Sequence, residues 1–387
     1  MRTVRDIRVL ENIPVLVRAP LNVPVENGTV VNDYRLRRAL PTLTYLREHG
    51  ARIVLISHIG EQGTETLAPV AEALGKLISG VSFCGETVGE RARAAVRALA
   101  AGDLLVLENL RRNAGEKNND TAFARELAEL ADIFVEDSFD TCHRAHASIV
   151  GVPEFLPSYA GLLLEEEVRE LSAALQPEHP ALAVIGGAKF STKEAVLIAL
   201  LEKYDHVFVG GALADDFLKA AGQPVGKSLV SGADPDHIKK LLGNPKLVLP
   251  VDSLVVAADT VGTPGAHDAG RVAAEGQVRD EESILDSGPG TAALLAELAG
   301  KAKTVLWNGP LGKYENGFTD ATDAFARAVA ASGAHSVVGG GDTVAAIEGL
   351  SILPKFSFVS TGGGAMLDFL AKGTLPGIAA LDNTLFT

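Results

Sequence analysis

Cysteine is almost absent: the 387-residue chain contains only Cys84 and Cys142. That is too few for a disulfide framework and fits a reducing compartment, so the expected setting is cytoplasmic. Missing too is any uninterrupted apolar run long enough for a signal peptide or membrane span, since charges are scattered through the opening MRTVRDIRVLENIPVLVR. The chain therefore reads as soluble and unprocessed. Positive charge is in the minority, 35 Lys and Arg against 49 Asp and Glu for a net −14, so the surface as a whole repels nucleic acid and acidic membranes. Any anion site has to be a local cluster. No long low-complexity tract or short repeat occurs, and 387 residues exceed one ordinary core, which predicts two domains.

What is present is alternation. Short β-branched runs, IPVLVR (13–18), ARIVLISH (51–58), DLLVLEN (103–109) and DIFVED (132–137), alternate with segments whose apolar residues recur every three or four positions. The second half repeats the rhythm with ALAVIGG (181–187), HVFVGG (206–211), KLVLPVD (246–252), TVLWNG (304–309), SVVGGG (336–341) and FSFVST (356–361). This is the pattern of parallel strands joined by helices, and it predicts an α/β chain of two doubly wound, Rossmann-like parallel-sheet domains. LLEEEVRELSAALQPEHP (163–180), a charged helix with a proline break, is the predicted interdomain connection. Residues 255–290, rich in Gly, Asp and Val, read as a surface excursion or small hairpins.

In open parallel sheets, ligands bind beyond the carboxyl ends of the strands. In the first half those positions hold Arg18, Asn22, His58, Asn109, Arg111, Arg112 and Asp137, the last leading into HRAHAS (143–148), while Arg35 opens the first helix. Cations and amides recurring at successive strand ends of an acidic protein suit a small, multiply charged anion. In the second half the strand ends are GGAK (186–189), GGA (210–212), NGP (308–310), GGGDT (339–343) and TGGG (361–364). Glycine lets a phosphate approach the backbone, and the helix that follows offers N–H donors. Lys189 and Lys193 share a helix face, and Asp342 is placed to hold a Mg²⁺ ion bridging phosphate oxygens. Five such turns favour a nucleotide. GQPVGKS (222–228) fails as a P-loop, having three residues between its glycines and a helix before it. His143 and His146 lack a third ligand of metal-site spacing. No GxGxxG follows the early strands, which counts against a dehydrogenase.

The ordered series RxxxNVP, SHIG, LENLR, DxxHRAHAS, GGAKxSxK, WNGPLGKYE, GGGDT and STGGGA spans nearly the whole chain and resembles the phosphoglycerate kinases. The resemblance implies an amino-terminal acid-substrate domain (1–162), a hinge helix and linker (163–180), a nucleotide domain (181–364) and a tail (365–387) returning to the first domain. It implies reversible phosphoryl transfer between 1,3-bisphosphoglycerate and ADP, giving 3-phosphoglycerate and ATP, with Mg²⁺, in a monomer that closes about its hinge. Carried over by motif, Arg35 is the catalytic arginine. Asn22, His58, Arg111 and Arg144 bind the acid, and Lys189 and Lys193 the nucleotide phosphates. Gly211, Asn308, Pro310 and Glu315 form the adenosine pocket, Gly340 and Gly363 are backbone donors counted with Arg35 and Lys189 as catalytic, Gly341 binds the nucleotide, Thr343 contacts phosphate and Asp342 holds the metal.

The chain departs from the family pattern on the acid side. Pro20 stands where an aspartate is usual and Glu61 where an arginine is; Arg112 replaces an aromatic, and Glu136 and Asp140 replace Asn and Gly. Glu61 is expected to turn away from the phosphate or pair with an arginine, with Arg112 a candidate replacement cation. A same-fold kinase for another small carboxylic acid, or a nucleotide-binding homologue without turnover, stand as alternatives.

Overall fold

The computed structural model describes residues 1–263 and 265–382. The chain divides into two compact units, Met1–Arg169 joined by the residues from Thr374 on, and Glu170–Gly373.

The first unit is built on six strands, β1 (Pro14–Arg18), β4 (Arg52–Ile56), β5 (Val81–Cys84), β6 (Leu104–Leu107), β7 (Ile133–Glu136) and β8 (Ser158–Ala160); a small ladder of β2 (Val25–Glu26) and β3 (Thr29–Val30) follows β1. Sheet order is β5-β6-β4-β1-β7-β8, all parallel. Four of the five residues of β1 and of β4, and all four of β6, are buried. Helices cover such strands on both faces, which is why they read as continuous apolar runs rather than alternating ones. Val15, Val17, Ile53 and Leu55 share one core with Leu36, Leu43 and Leu46 of the helix Tyr34–Glu48. The connection after β1 runs to β4 and that after β7 runs the other way, to β8, so the winding reverses between neighbouring strands β1 and β7. A crevice opens at the carboxyl ends of such a pair.

The second unit repeats the plan with β9 (Ala181–Ile185), β10 (His206–Val209), β11 (Leu247–Val248), β15 (Thr304–Asn308), β16 (His335–Gly339) and β17 (Phe358–Val359), in the order β11-β10-β9-β15-β16-β17. Its reversal falls between β9 and β15, whose residues are all buried. The excursion between the halves of this sheet is a three-stranded antiparallel sheet of β12 (Asp252–Ala257), β13 (Arg271–Ala274) and β14 (Glu282–Ser287), with β12 central. Val256, Leu285 and Phe318 form its small apolar cluster.

Two boundaries differ from the expected ones. The division between the units falls inside the helix Leu162–Ala174 rather than around it. The helix Gly363–Lys372 belongs to the second unit because Met366, Phe369 and Leu370 are buried there, so the returning segment starts at Thr374 and not at 365. That segment is held by Gly377, whose N–H donates to the Cys142 carbonyl at 2.9 Å and whose missing Cβ would lie 2.8 Å from Ile149. Residues 383–387 of the expected tail lie outside the described residues. The edge strands Val81–Cys84 and Ser158–Ala160 carry no sequence signal because both are too short, at four and three residues, to show a period.

Candidate active site

Arg18 ends β1 and is 1% exposed. Its Nη1 donates to the Ala19 carbonyl at 3.0 Å and to Ser57 Oγ at 3.1 Å, its Nε to Ser148 Oγ at 3.2 Å, and its Nη2 meets His58 Nδ1 at 2.8 Å. Ser148 in turn gives its N–H and O–H to the two Glu116 oxygens. The guanidinium is thus an internal strut. Since Arg18 only donates, His58 Nδ1 accepts, and a neutral ring then keeps its proton on Nε2. Burial, followed by the charges of Arg18, Arg111, Arg144 and Arg35, drives the His58 pKa far below its usual range, which holds the ring neutral. His146 is pushed down to about 4, by burial first and then by Arg144.

Around His58 the structure gathers the predicted acid-site residues. Arg35, in the first turn of its helix, donates from Nη1 to the Asn22 carbonyl at 2.8 Å and lies 3.4 Å from Asp140 Oδ2. Asn22 Oδ1 accepts from Gly60 N–H at 3.2 Å. The Arg111 side chain is 1% exposed; its Nη1 donates to the Gly60 carbonyl and lies 3.5 Å from Glu61, while Nε and Nη2 are buried without a protein acceptor. Burial and then Arg144 lower its pKa. The result is a donor-rich wall on an acidic protein, suited to carboxylate and phosphate oxygens.

Other strand-end residues serve the fold instead. Asn109 clamps the loop after β4, its side chain bonding Ile59 N and O, Glu65 O and Arg111 N. Asp137 Oδ1 accepts from Leu163 and Leu164 N–H and so caps the helix Leu162–Ala174. Arg112 is no replacement cation, because its Nη1 sits 3.1 Å from Glu108 Oε2. Glu61 pairs with Arg111, one of the two outcomes expected of it. The anchoring of Arg18 by Ser57, Ser148 and Glu116 escaped sequence reasoning, since only the fold brings these distant positions together.

In the second unit, β9 and β15 run out side by side into Gly186 and Gly309. A Cβ on Gly186 would lie 2.1 Å from the Pro310 carbonyl, and Gly309 has φ +95°, so neither position admits a side chain cheaply. Gly309 N–H donates to Thr343 Oγ1 at 2.9 Å, which ties the buried Thr343 to this turn. Lys193 Nζ donates to Asn308 Oδ1 at 3.1 Å, and burial pulls its pKa down to about 8. Gly340, with φ +103°, caps the helix Gly341–Gly349, and a Cβ on Gly363 would approach the Gly340 Cα at 3.4 Å. Two helix amino termini therefore meet there, both walled by glycine.

Beside this meeting point lies a cavity of about 480 Å³ whose lining includes Gly187, Gly211, Pro310, Glu315 and Asp342. Lys189 is exposed one residue beyond Ala188, which also lines it. Two carboxyls of this wall were not foreseen. Asp286 accepts from Ser287 and Ala321 N–H and is pushed up to about 7 by burial. Asp215 is 1% exposed, has no protein donor on either oxygen, and is raised well above the carboxylate range by burial and by Asp216. GQPVGKS follows the helix Ala212–Ala220 and has its Lys227 N–H on the Glu282 carbonyl, as a connecting loop does. Among the described residues no group of three or more His, Cys, Asp or Glu is arranged to hold a metal. No helix is long and apolar enough to cross a membrane.

A family model described as phosphoglycerate kinase matches residues 4–373. The phosphoglycerate kinase of Pelotomaculum thermopropionicum is 44% identical over 393 residues, covering 98% of each chain. That of Azorhizobium caulinodans is 44% identical over 383 residues, covering 95% of this chain and 96% of its own. Among solved structures, phosphoglycerate kinase from Coxiella burnetii superposes with TM-score 0.83 at 41% identity over 98% of both chains. The enzyme from Pyrococcus horikoshii does so with TM-score 0.88 at 31% identity, over 99% of this chain and 98% of its own. On a family match over nearly its whole length and relatives matched end to end, the chain belongs to the phosphoglycerate kinase family.

Proposed function

We propose that the chain catalyses reversible phosphoryl transfer between 1,3-bisphosphoglycerate and ADP, giving 3-phosphoglycerate and ATP, the reaction expected of its family. The observation that carries this reading is the contrast between its two strand-end crevices. One is lined by guanidiniums around a neutral imidazole; the other is walled by glycine beside a cavity of nucleotide size.

In the first crevice, Arg111 and Arg144 neutralise the phosphate of the acid, and His58 offers it Nε2–H without adding a titrating charge. Arg35 stabilises negative charge on the phosphoryl group in transfer. The nucleophile toward ATP is the substrate's own carboxylate, so no protein group needs activating. Catalysis is then positioning and charge neutralisation. In the second crevice, Lys189 and Lys193 bind the nucleotide phosphates together with the N–H groups at Gly340, Gly341 and Gly363. Gly211, Asn308, Pro310 and Glu315 take the adenosine. Thr343 holds the Gly309 turn in place.

Magnesium is the metal this chemistry calls for, and Asp342 suits it. Asp342 is one of the carboxylates on the cavity wall, and one or two carboxylates are the protein share that Mg²⁺ would take with phosphates supplying its other oxygens. When bound there, the ion neutralises phosphate charge. We further take the enzyme to act as a cytoplasmic monomer on small-molecule substrates, with no nucleic acid or membrane partner.

An assay with 3-phosphoglycerate and Mg-ATP, coupled to consumption of the acyl phosphate, tests the reading. Turnover is expected, reduced by roughly 10²-fold or more in Arg35→Ala. No turnover alongside normal Mg-ADP binding by calorimetry would overturn it.

A further inference from the structure

We infer that Asp140 is the residue that reads the hydroxyl of the acid substrate, an inference that rests on the proposed function. Strands β1 and β7 are neighbours in register, Arg18 opposite Glu136, so the chain leaving β1 through Ala19 and Pro20 rises beside the chain leaving β7 through Asp137 and Ser138. These two segments are the lips of the switch-point crevice. The β1 lip offers no carboxylate: Pro20 carries no side-chain acceptor, and Asn22 Oδ1 already accepts from Gly60 N–H.

The β7 lip supplies one. Ser138 Oγ donates to Asp140 Oδ1 at 2.6 Å, which fixes the carboxylate, and Oδ2 lies 3.4 Å from Arg35 Nη1. The same Nη1 donates to the Asn22 carbonyl at 2.8 Å, so Arg35 is held from both lips.

The cations around His58 only donate. Arg35, Arg111, Arg144 and the imidazole N–H match the carboxylate and phosphate oxygens of phosphoglycerate, but its hydroxyl also carries a proton that needs an acceptor. The other carboxylates nearby are engaged or fully enclosed. Glu116 is buried on Ser148; Glu136 accepts from Ser138 N–H through Oε1, and its second oxygen, though unpartnered, belongs to a side chain with 0% exposure. Glu61 is 75% exposed on the outer side of Arg111. Asp140, 6% exposed and in loose ion contact with Arg35, keeps lone pairs for an O–H, and the adjacent guanidinium offsets its repulsion of the anionic substrate.

The test compares 3-phosphoglycerate with its analogue lacking the C2 hydroxyl, by calorimetric titration of the full chain. The wild type is expected to bind the hydroxylated acid about ten- to a hundredfold more tightly, the ratio for a hydrogen bond to a charged group. Asp140→Gly should cut that preference to a few-fold at most while leaving Mg-ADP affinity unchanged, and adding Pro20→Asp, which returns a carboxylate from the β1 lip, should restore part of it. Asp140→Ala removes the acceptor as well and gives the same readout if the glycine variant folds poorly. A variant that binds Mg-ADP normally and keeps the wild-type preference overturns the inference alone. A wild type that binds Mg-ADP but neither acid overturns the proposed function, and this inference with it.

Discussion

The Glu61 carboxylate lies 3.5 Å from Nη1 of Arg111, on a guanidinium whose Nε and Nη2 have no protein acceptor. An acidic residue beside the proposed anion site is thus paired with one of that site's proposed arginines. Glu61 is 75% exposed while the Arg111 side chain is 1% exposed, so the pair is a surface anion resting on a buried cation, screened by water on its outer side.

From this it follows that Glu61→Gln strengthens acid binding without harming the fold. Freed of its internal counter-ion, Arg111 presents its full charge to the phosphate. The KM for 3-phosphoglycerate should fall by roughly two- to fivefold, the range of exposed ion pairs. Steady-state kinetics at low and high salt check this. The gain should shrink as ionic strength rises and the screening length shortens, and a KM that is unchanged at low salt refutes it.

Lys193 makes a pH prediction on the nucleotide side. Burial lowers its pKa to about 8, so in the free protein the ammonium loses its proton as pH rises through that value. Phosphate binds the charged form, so ADP binding above pH 8 must take up a proton. Affinity should then fall with pH, approaching tenfold per unit. Calorimetric titrations at pH 7 and pH 9, in buffers of different ionisation enthalpy, read both the loss and the proton. Lys193→Arg keeps its charge and should flatten the dependence.

Asp137 makes a stability prediction of known sign. Burial raises its folded pKa to about 7 from an ordinary value of 3.8. The folded state therefore holds a proton that the unfolded state releases, and this contribution is present at low pH and lost as pH rises from about 4 to about 7. Asp137→Asn keeps an oxygen for the Leu163 and Leu164 N–H groups and does not titrate. Relative to wild type, its melting temperature should improve between pH 5 and pH 8. A constant difference across that range would show that Asp137 does not titrate there.

The sequence carried the two sheets and the candidate residues at their strand ends, because buried parallel strands write unbroken β-branched runs and the switch-point rule then points to the residues just beyond them. It did not carry which of those residues face a ligand. Asp137 and Asn109 occupy strand-end positions like His58 and Asn22, yet they cap a helix and clamp a loop. Nothing in the local sequence separates an acceptor used by the backbone from one left for a substrate. The same limit hid Asp140 on Arg35 and Thr343 on Gly309, pairs set by tertiary approach. Edge strands were lost for the opposite reason, being too short to leave a periodic signal.

Gly186 tests how tightly the nucleotide crevice is built. A methyl group there would lie 2.1 Å from the Pro310 carbonyl and 2.7 Å from that of Gly309, both backbone atoms that cannot swing aside. Gly186 N–H also donates to the Asn308 carbonyl at 2.8 Å, so the ends of β9 and β15 cannot part without breaking that bond. Gly186→Ala should therefore cost about 1–3 kcal/mol in the stability of the second unit, as overpacking does. It should also weaken Mg-ADP binding, because Asn308 and Pro310 move with the turn. Binding of 3-phosphoglycerate, measured separately by calorimetry, should stay within twofold of wild type, about 0.4 kcal/mol. Equal losses for both ligands would mean that the substitution unfolds the chain generally rather than spreading this one turn.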